Sequence, residues 1–128
     1  MWFYLFTLTL CLRLIYTSDT SVWLDEGYSL YFSQISAFEI IRNAHLDSNP
    51  PLGNVLFHYL SLYFDGNIIQ LRIFGAVVSS TTSIVLFALA SKLANKKIAL
   101  YVVLLKAISA YDIGYATQLR IYPYAELA

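Results

Sequence analysis

Charge is what this chain has least of. Only 12% of its 128 residues are charged, eight Lys or Arg against eight Asp or Glu, whereas an ordinary soluble domain carries about a quarter. Hydrophobic residues make up 59%, and mean hydropathy is +0.61. These values exclude an ordinary water-soluble fold and point to an integral membrane protein. The formal net charge is zero, with no basic run, so nucleic acid is excluded as a partner. Cysteine is nearly absent. Cys11 stands alone and cannot close an intrachain disulfide, and its apolar setting reads as a packed thiol. His45 and His58 have no cysteine partners, which argues against a zinc site.

What is present is a series of apolar runs. Residues 1–17 form a first expected span, with Arg13 placed to snorkel toward headgroups. No Lys or Arg precedes this run and no small-x-small site follows, so a cleaved secretory signal is the weaker reading. Residues 18–67 read as an extracytoplasmic loop with two interfacial helices. In the first, residues 26–44, Tyr31, Ile35, Phe38 and Ile41 recur at helical spacing until Pro50-Pro51 ends the segment. The second, residues 52–64, sets Leu52, Val55, Leu56 and Tyr59 against a polar stripe of Asn54, His58 and Ser61. It covers about 20 Å where a crossing needs about 30 Å, so it is expected to lie flat in the interface.

Residues 68–91 are the second expected span. Ser79 to Ser83 lies at its centre, a run of hydroxyls suited to close helix packing and to bonding their own backbone rather than to nucleophilic catalysis. Residues 98–115 are the third, interrupted by Lys106. A lysine there must snorkel, face a cavity or pair with another helix. Asp112, six positions on, falls off its helical face and reads as a poor partner. The expected fold is therefore all-α and polytopic, with about three transmembrane helices and two interfacial ones.

Lys92, Lys96 and Lys97 form the only dense positive loop and are expected on the cytoplasmic side. The N-terminus is then inside and Asp25–Glu26 outside. The third span returns Gln118, Arg120 and Tyr122 to that outer face, beside Asp47, Asn49 and Arg72. Carboxylates can deprotonate an acceptor hydroxyl or hold a divalent cation. Arginines match phosphate oxygens with two parallel hydrogen bonds. Both together at a lipid-facing groove suit transfer of a group from a lipid phosphate. Taken alone, Asp25–Glu26 reads as a solvated loop or a helix cap, and Arg72 as an interfacial anchor.

The order of motifs adds to this. Trp23-Leu24-Asp25-Glu26-Gly27-Tyr28 comes first, then Asn49-Pro50-Pro51-Leu52, then Leu71-Arg72 opening a span, then Tyr115 to Tyr122. The series resembles the beginning of the GT-C membrane glycosyltransferases, closest to the protein O-mannosyltransferase and lipid A aminoarabinose transferase-like group. The resemblance covers nearly the whole chain but only about the opening quarter of such an enzyme. It implies that residues 1–128 are the N-terminal part of a GT-C-like transmembrane domain, completed by missing C-terminal helices or a partner subunit. It implies Asp25 as acceptor base or organiser of the site, with Glu26 as its usual neighbour. Arg72 matches an arginine at a span's outer end. The tail resembles a Tyr-Ser-Gln-Glu-x-Arg-x-Tyr pattern, with Arg120 and Tyr122 aligned.

Two departures stand out. Gln118 occupies the place of a glutamate and cannot act as a base, and Asn49 replaces a histidine in the Pro-Pro turn. The implied activity is sugar transfer, with inversion, from a polyprenyl-phosphate-linked sugar to a hydroxyl or amine. The implied setting is a multi-pass protein among the lipids of the cell membrane, with room for a divalent cation, magnesium or manganese. The rival reading is a non-catalytic small membrane subunit, or a truncated or split gene product. A transporter would show pairs of broken helices, and none is evident in the sequence.

Overall fold

The computed structural model describes residues 1–15, 17, 21–46 and 50–128. Among these the chain is all helical, with no strand. In order the helices are α1 (Trp2–Leu14), α2 (Leu24–Gln34), α3 (Ala37–Arg42), a 3-10 turn at Ala44–Leu46, α4 (Pro51–Tyr63), α5 (Ile68–Leu93), α6 (Lys96–Ile108), α7 (Ala110–Thr117) and α8 (Tyr122–Leu127).

The axis of the fold is α5. Asn67 starts it by accepting the Gln70 N–H on its side-chain oxygen at 3.1 Å. Its 26 residues extend about 39 Å. Ser80, Thr81, Thr82 and Ser83 each donate to the carbonyl four residues back, which satisfies their hydroxyls without outside partners.

Three spans were expected; the described residues hold one helix long and apolar enough to cross a membrane, α5. The first expected span is a helix of 13 residues, about 20 Å long, which is too short by itself. The third is broken. Ser109 ends α6 in extended backbone and caps α7 by accepting the Asp112 N–H, so the two helices meet at 63°. Counted as one bent element they give a second candidate crossing. The single interfacial helix expected over 26–44 is also split. Ile35 is extended, and Ser36 and Glu39 form a reciprocal cap that starts α3 anew.

Chain paths follow α5 closely. On the way up, Leu5 packs with Phe87, Arg13 bonds Ser79, and the Ser21 carbonyl meets Arg72. α1 therefore runs antiparallel to α5, and Ser21 meets the end of α5 opposite Phe87. The α6–α7 pair does the same: Ala99 and Val103 pack with Phe87, the Ala116 carbonyl approaches Gly75, and Leu119 packs on Leu71. At Gly75 an added Cβ would stand 2.8 Å from that carbonyl, so only glycine permits the approach. By contrast α4 packs on α2 and α3, and its Phe57 reaches Leu71 at one end of α5 only. Two apolar cores result, one at each end of α5. Between them lies a polar layer around Ser79.

Candidate functional site

Glu26 is the third residue of α2. At that position its carboxylate turns back on the helix start, and Oε2 accepts the Trp23 backbone N–H at 3.1 Å. The same turn aims it at Arg72 on α5. Arg72 Nη2 donates to both carboxylate oxygens, at 3.2 and 3.1 Å, and to the Ser21 carbonyl at 2.8 Å. The Leu119 backbone N–H adds a fourth contact, donating to Glu26 Oε1 at 2.9 Å across 93 residues of sequence. Glu26 is 1% exposed and Arg72 5%. A buried ion pair recovers its desolvation cost only when further hydrogen bonds satisfy the charges, and here two backbone N–H groups and a carbonyl do so.

Asp25 is one residue earlier, about 100° round the helix, and meets a different arginine. Its Oδ2 lies 3.1 Å from Arg120 Nη2, with the aspartate side chain 65% exposed. Arg120 Nη1 donates to the Tyr122 hydroxyl at 2.7 Å, and the guanidinium sits 5.5 Å from the centre of that ring. The neighbouring carboxylates thus serve different ends: Glu26 fastens the fold, and Asp25 faces outward.

Beside the Glu26–Arg72 pair opens a cavity of about 160 Å³, lined by Ser21, Trp23, Glu26, Arg72, Thr117 and Gln118 among others. Arg72 Nε is buried beside it and has no hydrogen-bond partner among the described residues. The structure therefore brings into this region six of the eight residues expected on that face: Asp25, Glu26, Arg72, Gln118, Arg120 and Tyr122. The other two, Asn49 and Asp47, lie outside the described residues. Arg72 is not a surface anchor but a buried partner of Glu26. Sequence reasoning did not find the Leu119 N–H or the Ser21 carbonyl, because backbone groups carry no residue-type signal.

Among the described residues no three His, Cys, Asp or Glu side chains are grouped to hold an ion. Asp25 and Glu26 pair with separate arginines.

Other expectations change as well. Cys11 is exposed rather than packed. Arg13 does not reach toward headgroups; it is fully buried, with Nε donating to Ser79 Oγ at 3.0 Å. Lys106 does pair with Asp112, and also with Glu126 at 2.8 Å. The bend at Ser109 brings Asp112 back onto the lysine's side, where an unbroken helix would have turned it away. Tyr124 is packed between Phe57 and Phe74, and burial pushes its phenol above the ordinary tyrosine range.

No protein-family model matches the chain, and neither a curated protein nor a solved structure is found similar to it.

Proposed function

We propose that this chain forms the donor-phosphate end of a membrane glycosyltransferase that uses a polyprenyl-phosphate-linked sugar. The observation that carries the reading is Arg72. It is a buried guanidinium whose Nη2 is held by Glu26 and Ser21 while its Nε is left over beside a small polar cavity. A buried donor without a partner is costly, and a phosphate oxygen in the cavity would satisfy it. Arg120, half-buried nearby, supplies a second cation.

In this reading α5 crosses the membrane, with α1 and the bent α6–α7 pair running alongside it as parts of further crossings. The Lys92, Lys96 and Lys97 end faces the cytoplasm. The acceptor hydroxyl or amine attacks the anomeric carbon and gives its proton to Asp25. The bond from that carbon to the phosphate oxygen breaks, and the polyprenyl phosphate leaves with the bonding pair, its charge steadied by Arg72 and Arg120. Glu26 is a positioning residue that holds Arg72, and Gln118 is a polar wall of the cavity.

The test is binding followed by transfer. The protein in lipid nanodiscs is mixed with a photoreactive decaprenyl phosphate, with decaprenol as the neutral control. The phosphate should crosslink in preference to the alcohol, and Arg120→Gln should weaken it about tenfold. In membranes containing the full protein, Asp25→Asn should abolish transfer from decaprenyl-phosphate mannose. Equal capture of phosphate and alcohol would sink the reading. One observation favours the rival of a structural subunit: both Glu26 oxygens and Arg72 Nη2 are saturated within the chain, as in a clasp that only joins helices. Transfer that survives Asp25→Asn unchanged would support that rival.

A further inference from the structure

Halfway along α5 is a second polar cluster that the site above does not use. Arg13, 0% exposed, donates to Ser79 Oγ at 3.0 Å and to the Thr9 carbonyl at 3.1 Å. Its Nη2 is buried and has no partner among the described residues. Lys106 holds Asp112 and Glu126, and both carboxylates lie within electrostatic reach of Arg13. Two cations thus balance two anions. Beside them lies a cavity of about 630 Å³ lined by Ser79, Asp112, Glu126, Tyr111, Tyr115 and Tyr122 among others, which is within the usual range for small-molecule sites, roughly 300–1,000 Å³.

We propose that this cavity binds a neutral pyranose sugar. Charge comes first. The cluster sums to zero, so it offers no net field for a free anion, and a cation would have to displace Lys106 from its carboxylates. Hydrogen bonding comes second. An acyl chain would fill the space but offer no donor to Asp112 and Glu126, which line it. A sugar carries hydroxyl donors for Asp112 and for Glu126, whose side chain is 46% exposed, and an acceptor oxygen for the Ser79 side of the cavity. Shape comes third. Tyr111 and Tyr115 stack at 6.2 Å and 27°, and Tyr122 meets Tyr115 edge-on at 4.9 Å and 67°. They make an apolar wall with a corner, which suits the C–H face of a pyranose and leaves its hydroxyl rim toward the charged side.

The role of such a sugar rests on the proposed function, although its chemistry does not. α7 stands between the two cavities, with Gly114, Thr117 and Gln118 on the phosphate side and Tyr111, Asp112 and Tyr115 on this one. The pyranose here therefore belongs to the acceptor rather than to the donor, and the acceptor class is a glycoside. Tyr122 links the two, since its hydroxyl holds Arg120 and Arg120 holds Asp25.

The experiment is saturation-transfer NMR on the protein in nanodiscs, with methyl α-D-mannopyranoside as probe and cyclohexanol as a control without the hydroxyl rim. Transfer to the pyranoside ring protons is expected, and none to cyclohexanol. Tyr115→Ala and Glu126→Gln should each weaken binding about tenfold, while Tyr59→Ala on α4 should not. Tyr111→Ala, at a ring 78% exposed, serves as a second variant should Tyr115→Ala lose its helix signal. Absent transfer, equal transfer to cyclohexanol, or transfer unchanged in the tyrosine and Glu126 variants overturns the proposal. Sugar binding without decaprenyl phosphate capture would defeat the donor-site reading and leave this one standing. Phosphate capture without sugar binding would do the reverse.

Discussion

Asp25 and Glu26 differ by one methylene and one position, yet the fold treats them oppositely. Glu26 is enclosed and bonded four ways, whereas Asp25 is largely solvated with one cation beside it. Glu26→Ala should cost about 3–5 kcal/mol, because it leaves Arg72 buried without its counter-charge. Asp25→Ala should cost about 1 kcal/mol or less, as exposed pairs do. Thermal unfolding in detergent, followed by helical circular dichroism, measures both. Equal losses would contradict the division of roles. Tyr124 gives a pH signature. Its phenol titrates higher in the folded chain than at the unfolded value of 10.0, so the folded state holds the proton more tightly. Its contribution to stability is whole below pH 10.0 and is lost as pH rises through the folded value. A Tyr124→Phe variant should lose less stability than the parent on going above pH 10.0, read from the same unfolding curves.

At the scale of elements, two of the expected helices broke, and both broke at the same local pattern. Ser36-Ala37-Phe38-Glu39 and Ser109-Ala110-Tyr111-Asp112 each set a hydroxyl three residues before a carboxylate, the arrangement that starts a helix rather than continuing one. Hydrophobic periodicity ran through both sites, so the apolar spacing outweighed a start signal that was legible. Ser36→Ala and Ser109→Ala should each cost about 0.5–2 kcal/mol, the usual worth of such a cap. Loss of the Ser109 cap should also loosen Lys106 from Asp112, which a spin-label distance between α6 and α7 would register. Gly75→Ala should cost about 1–3 kcal/mol, because the group it meets is a backbone carbonyl that can retreat only by moving α7. The grouping of Asp25, Glu26, Arg72, Gln118, Arg120 and Tyr122 was legible because charged residues are rare here and motif order set their side of the fold. The pairing of each carboxylate with a particular arginine was not, since it depends on a rotation of about 100° between neighbours on α2.

On the scale of the whole molecule, one long helix organises everything else. The chain returns to the Arg72 end of α5 from both of its own halves, which is why Ser21, Glu26 and Leu119 meet there. If α5 crosses a bilayer, its two ends face different compartments. With Cys11→Ser as background, Tyr63→Cys should react with an impermeant maleimide on intact cells, and Lys97→Cys only after permeabilisation. Reaction of both from one side would remove α5 as a crossing. The bend at Ser109 bears on how such a chain is made. If α6 inserts into a bilayer as proposed, Lys106, six residues ahead of Asp112 and twenty ahead of Glu126, brings its ammonium to the insertion machinery before either carboxylate arrives. On that reading α6 would not settle as a solitary insert, and its commitment would wait for α7 and α8 to reach it.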